Sequence, residues 1–150
     1  MTQIPRAALI LGLAGLIPFL FGTATLFSTA LAQWALQTLG PRFVGPYVQI
    51  FYGTIILAFM SGVIWGFATK ATGTVAAAGY TLSVIPALWA FFMVGDGARS
   101  ASLYLAIGFI GLLGIDFLFW KHNLAPSWWM HLRVLLTVIV TLCLILSANA

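Results

Sequence analysis

Charge is what this chain lacks most. Of its 150 residues 5% are charged, six Lys or Arg and two acids, Asp96 and Asp116. Soluble domains carry about 25%, and so few charges cannot clothe a soluble surface. A soluble globular domain is excluded. Disorder is excluded too, because disordered chains pair low hydrophobicity with high charge, whereas 63% of this chain is hydrophobic. The single cysteine, Cys143, excludes an intramolecular disulfide and any zinc site built from cysteines. It reads as a small buried hydrophobe. GxSxG, HExxH, Walker, GxGxxG and CxxCH motifs are all missing, and no Ser/His/Asp set shares an evident depth. No catalytic residue, cofactor or metal site is therefore expected. The basic residues Arg6, Arg42, Lys70, Arg99, Lys121 and Arg133 are scattered singly. A nucleic-acid partner would need a cluster on one face, so none is expected.

What the chain does have is long apolar runs. A membrane-spanning helix takes about 20 mostly apolar residues, and five runs qualify, at approximately 7–27, 46–68, 74–94, 101–120 and 129–147. The expected fold is all-α, a polytopic transmembrane bundle of about five helices in one domain over 1–150, with the lipid bilayer as its surround. Pro18 and Pro86 sit inside runs one and three, so those helices should kink where the carbonyls of Ala14 and Leu82 lose their donors. Ser83 is a candidate to satisfy the second of these. Residues 28–39 place Gln33 and Gln37 on one helical face and read as an interfacial helix or a tilted extension of the first span. Gly40-Pro41 ends that segment and Gly45-Pro46 opens the next span. Ala30-Leu31-Ala32 resembles a signal-peptidase site. The apolar stretch before it is longer than an ordinary signal core, so cleavage after Ala32, which would leave four spans, is the minor expectation.

Orientation follows Lys and Arg in the loops. Arg6, Lys70, Lys121 and Arg133 fall on the N-terminal side, Arg42 and Arg99 on the other. This favours the N-terminus in the cytoplasm and the C-terminus in the periplasm. Trp65, Trp120, Trp128 and Trp129 gather on the N-terminal side, as an aromatic belt does.

Few residues carry chemistry. Asp116 is the one acid within a span, and a buried carboxylate there needs a partner. If the last two spans form an antiparallel hairpin about Leu124-Ala125, ahead of Pro126, position 116 comes level with 133 and Trp120 with Trp129. An intramembrane Asp116–Arg133 pair that locks the hairpin is the favoured reading. A proton or ion path is the other, and a relay normally needs several titratable groups in series. Asp96 and Arg99 are spaced for a solvated i, i+3 loop pair. His122 and His131 flank the last loop and read as interfacial. Thr54, Ala58, Gly62 and Gly66 recur every four residues on the second span, a small-residue stripe that lets another backbone approach. Packing inside the chain is the first expectation for this stripe and a separate protein the second.

With these motifs in view, the chain resembles a domain-of-unknown-function family of integral membrane proteins that includes mitochondrial transmembrane protein 69 and proteobacterial relatives. The resemblance rests on Pro5 and residues 11–19 in span one. It rests most specifically on residues 52–66 in span two, ending Ser61-Gly62-Val63-Ile64-Trp65-Gly66. Tyr80-Thr81-Leu82-Ser83-Val84-Ile85-Pro86 and Leu132-Arg133-Val134-Leu135-Leu136-Thr137 add to it. The chain departs at Ile64, where many relatives carry a histidine, so a histidine-based role is not carried over. The resemblance implies a protein of the bacterial inner membrane or its mitochondrial equivalent, and no activity. With no Arg/Ser-rich presequence before Ala7, the bacterial membrane is the expected one. The leading functional expectation is a non-enzymatic accessory or assembly subunit of a larger membrane complex. The family's mitochondrial membership points to a respiratory or other energy-transducing one. The alternative is a small transporter or channel subunit that uses the proline-broken helices and Asp116. A lipid or quinone enzyme is the third reading, and it requires a lipid-sized cavity with polar groups near Asp116 and His131.

Overall fold

In hydrocarbon every backbone polar group must be satisfied within its own segment, which leaves helices as the spanning element for such runs. A computed structural model, which describes residues 3–150, has only helical regular elements among those residues. Helices α1 (Arg6–Ala14) and α2 (Ile17–Phe27) together form the first membrane-length stretch. Helix α3 (Thr29–Thr38) and a 3-10 turn (Pro41–Phe43) lead into α4 (Tyr47–Ala68), α5 (Gly73–Met93), α6 (Ala98–Lys121) and α7 (Trp129–Asn149). The protein is an all-α bundle with five helices long and apolar enough to cross a membrane.

The two prolines act differently. The first stretch breaks at Gly15–Leu16, and Pro18 lies in the first turn of α2. There its missing N–H costs nothing, because first-turn donors have no intrahelical partner anyway. Pro86 lies inside α5, which continues through it as one element. Ser83, expected to satisfy the carbonyl of Leu82, instead donates from Oγ to the carbonyl of Tyr80 at 2.7 Å. The backbone next to the proline finds its partner on another helix, where the Ala87 N–H donates to Ser61 Oγ of α4 at 2.8 Å. Residues 28–39 are not a straight extension of the first span. Ser28 takes an extended conformation (φ −131°, ψ 105°) and caps α3 by accepting the Leu31 N–H.

Helices α4 and α5 pack as one hairpin and α6 and α7 as another, and α6 also packs on α4 and α5. Leu57, Ile64, Leu105, Phe109 and Leu144 are buried at the centre. Ile64 is fully buried. Phe19 anchors α2 to this core, with edge-on contacts to Tyr52 and Phe109. By contrast α1 buries no residue, so the first stretch is held mainly through its second half.

One tight contact fixes that half. A Cβ at Gly45 would collide with the carbonyl of Gly22 and lie 2.9 Å from Gln49 Oε1. The Gly45 N–H donates to Thr25 Oγ1 at 2.8 Å, and Gln49 Nε2 donates to Thr23 Oγ1 at 3.1 Å. The start of α4 is thus seated on α2 through polar groups that need the two glycines to meet. Gly62, in contrast, has nothing within 4 Å of where a Cβ would stand. Gly45→Ala is expected to destabilise the protein by about 1–3 kcal/mol through overpacking, while Gly62→Ala leaves it within about 0.5 kcal/mol of the parent. Thermal unfolding of both variants in the same detergent checks the contrast.

Candidate functional site at the Asp116–Arg133 pair

Helices α6 and α7 are joined by a short bend. The α6 end is closed by the His122 N–H on the Leu118 carbonyl and the Leu124 N–H on that of Phe119. Asn123 takes φ +58°, a left-handed conformation that asparagine tolerates better than most residues. Lys70 of the α4–α5 connection donates from Nζ to the Leu124 carbonyl at 3.1 Å, and Trp120 Nε1 donates to that of Ser127.

Eight residues before the Leu124–Ala125 bend, Asp116 is fully buried. Arg133 Nε donates to its Oδ2 at 2.8 Å, and Trp129 Nε1 donates to its Oδ1 at 2.9 Å. Both carboxylate oxygens are therefore engaged by α7. Trp129 and Arg133 lie four residues apart, one helical turn, and so reach the same carboxylate together. The sequence places Trp129 in the aromatic belt and level with Trp120, not against Asp116. The i, i+4 spacing to Arg133 was the signal that could have placed it here. At the far end of the hairpin Ser102 and Ser147 meet Oγ to Oγ at 3.4 Å. That pair and the Asp116–Arg133 pair are both symmetric about the bend, with 14 residues, about 21 Å of helix, between them.

Arg133 is 5% exposed, and its Nη2 has no hydrogen-bond partner. Thr137, one turn further and 4% exposed, likewise has an unpartnered Oγ1. Both line a cavity of about 640 Å³ between α1–α2, α4 and α7. Its other walls are almost wholly apolar, from Leu11 and Gly15 through Ile56 and Val63 to Trp129 and Leu136.

The remaining candidates separate. Gly62, Gly66 and Ala58 are exposed on the outer face of α4, and Thr54 is half-buried. Nothing lies within 4 Å of a Cβ at Gly62 or Gly66. The stripe therefore does not pack inside the chain, because the buried face of α4 runs through Gly53, Leu57, Ser61 and Ile64 instead. Among the described residues Asp116–Arg133 is the one ion pair, so the expected Asp96–Arg99 pair does not form. Gly97 stands between those two residues with φ +107°, which breaks the helical turn the pair requires. His122 and His131 are exposed, and His131 does not line the cavity. No cluster of metal-ligating residues occurs among the described residues. Cys143 is buried. Arg133, counted above as a loop charge, is spent on Asp116, which leaves Arg6, Lys70 and Lys121 against Arg42 and Arg99.

Removing one partner of a buried pair strands the other charge, at a cost of about 3–5 kcal/mol, whereas apolar replacement of both is often close to neutral. Arg133→Leu is thus expected to destabilise strongly, and Asp116→Leu combined with Arg133→Leu to recover most of the loss. Unfolding midpoints of the single and double variants in detergent check this.

Known proteins place the chain. The family model described as protein of unknown function (DUF3429) matches residues 4–149. Transmembrane protein 69 of Xenopus tropicalis is 33% identical over 150 residues, covering 94% of this chain and 53% of the relative. Transmembrane protein 69 of Mus musculus is 26% identical over 147 residues, covering 95% of this chain and 56% of the relative. The chain spans about half the length of these curated relatives. No solved structure matches it. With a family match from residue 4 to residue 149 and five membrane-length helices, the chain belongs to the DUF3429 family, to which it is joined as a transmembrane protein.

Proposed function

We propose that the protein is a non-enzymatic accessory or assembly subunit of a larger inner-membrane complex. The observation that carries this reading is the outward stripe on α4. Ala58, Gly62 and Gly66 are exposed, and the space beside both glycines is open. Between lipid-embedded helices, association relies on close packing rather than on the hydrophobic effect, and small residues let two backbones approach. Exposed Ile55 and Phe59 flank the stripe and would form the ridges beside the groove. The partner this surface suits is a helix of another membrane protein, and an energy-transducing complex is the class suggested by the family's mitochondrial members. The membrane proposed is the bacterial cytoplasmic one, with the N-terminus inside and the C-terminus in the periplasm. The mitochondrial inner membrane is the alternative setting.

The transporter or channel reading draws on Pro18, Pro86 and Asp116. It is less favoured because both oxygens of Asp116 are already engaged by Arg133 and Trp129. A carboxylate so held is better suited to fixing a hairpin than to passing on a proton.

The test is a gentle-detergent pull-down of the chain, tagged at its native locus, with mass spectrometry. A stoichiometric membrane partner is expected, and Gly62→Leu together with Gly66→Leu is expected to lose it without lowering the unfolding midpoint. Recovery of the unmodified protein as a partner-free monomer would overturn the reading.

A further inference from the structure

Arg133 and Thr137 each bring a buried donor with nothing to donate to, and both residues line one cavity. A buried donor without a partner costs about 1–3 kcal/mol. Two such donors one turn apart on a single face make a receptor for a hydrogen-bond acceptor. The rest of the cavity specifies what carries that acceptor. At about 640 Å³, lined by leucine, isoleucine, valine, phenylalanine and glycine positions of α1–α2, α4 and α7, it has the size and character of a site for an apolar ligand body. Three of its sides are membrane-length helices, so its occupant arrives from the hydrocarbon.

The charge balance narrows the head group. Arg133 is already neutralised by Asp116 through Nε, and among the described residues no other charged side chain lines the cavity. An anionic head would place a second negative charge against one guanidinium in a site whose other walls are almost wholly apolar, and an uncompensated buried charge is penalised by several kcal/mol. An uncharged acceptor takes the free Nη2–H and the Thr137 hydroxyl with no such penalty. We propose that this cavity binds a membrane-soluble amphiphile through an uncharged carbonyl, received by Arg133 Nη2 and Thr137 Oγ1, with its apolar body between α1–α2, α4 and α7. A quinone ring and an ester both present that carbonyl. The site is independent of the α4 stripe, which lies on another face, so either proposal can fail alone.

The experiment uses the full chain in a maltoside detergent, which contributes no carbonyl. Four probes of similar length are added in turn: a decyl benzoquinone, methyl dodecanoate, dodecanoate and dodecane. A ligand of the folded state raises the unfolding temperature by mass action, and the quinone also quenches the tryptophans that line the cavity. Saturable binding of the quinone, the ester or both is expected, and which of them binds tells a quinone source from a lipid-ester source. Arg133 variants lose the Asp116 pair, so the test variants are Thr137→Val, which removes one donor at constant shape, and Val63→Trp, which fills the cavity. Loss of one uncharged hydrogen bond predicts about threefold to tenfold weaker binding for Thr137→Val, whose unliganded unfolding temperature should be no lower than the parent's because the orphaned hydroxyl is gone, and Val63→Trp should abolish binding in a variant that still unfolds cooperatively. Dodecane binding as well as the ester would overturn carbonyl recognition. Dodecanoate binding more tightly than its methyl ester would overturn the uncharged head. No saturable binding by any probe, or binding unchanged in Val63→Trp, would overturn the site.

Discussion

A carboxylate buried in an apolar bundle must find a cation and further donors on whatever helix lies opposite, and this requirement sets how α6 and α7 meet. Asp116 receives Arg133 Nε and Trp129 Nε1, one turn apart on α7. Sliding α7 by one residue would turn both donors away by about 100°, and sliding it by a full turn would exchange them for other side chains. The Ser102–Ser147 contact obeys the same register 14 residues away. Helix α6 in turn packs on α4 and α5, so the hairpin whose register the pair fixes is also the body against which the remaining helices are arranged.

Glycine is used in two opposite ways around that body. Where it is internal, another group occupies the place of its missing side chain. Gly45 meets the Gly22 carbonyl, and a Cβ at Gly108 would stand 2.8 Å from Leu57 and Trp89. Where it is external, at Gly62 and Gly66, nothing fills that space. An internal glycine is explained by the fold that contains it. An external pair four residues apart in a spanning helix gains nothing for this chain's own packing, because lipid covers a larger side chain equally well. The same residue type thus divides into positions that serve the bundle and positions that serve contact with something outside it.

The legibility of the chain follows the same physics. Long apolar runs announce spanning helices because no other element satisfies the backbone in lipid, so the five-helix bundle can be read directly from composition. A lone acid within an apolar run demands a partner, and folding about Leu124–Ala125 brings position 133 level with it. What could not be read is which face of a uniformly apolar helix turns inward. Helix α4 is hydrophobic on all sides, so Ser61, which accepts the Ala87 N–H beside Pro86, and Gly62, which faces out, look alike in the sequence. The polar contact of Thr23, Thr25 and Gln49 was hidden for a related reason. Its members lie 20 to 26 residues apart across the α3 connection, and the path of that connection is set by tertiary packing. The cavity is a property of spacing between helices, and no local pattern encodes it.

That spacing is itself informative. The first stretch is the least buried of the five, at 17% of its most apolar window against 50% for α6, and its leading half α1 buries nothing. It approaches α7 where Gly12 faces Leu132 and Leu136, and between these helices lies the cavity wall that carries Arg133 and Thr137. Further along the same face, Thr141 has an unpartnered buried hydroxyl as well. A face optimised for stability alone would present apolar side chains at these positions or return the threonine hydroxyls to the helix's own carbonyls, because each orphaned donor is a cost. The costs instead recur every four residues on one side of α7, opposite the helix least tied to the core. Native chains tolerate such departures where they serve a task, and here two of the three, at Arg133 and Thr137, lie along the cavity that the loosely held first span helps to line.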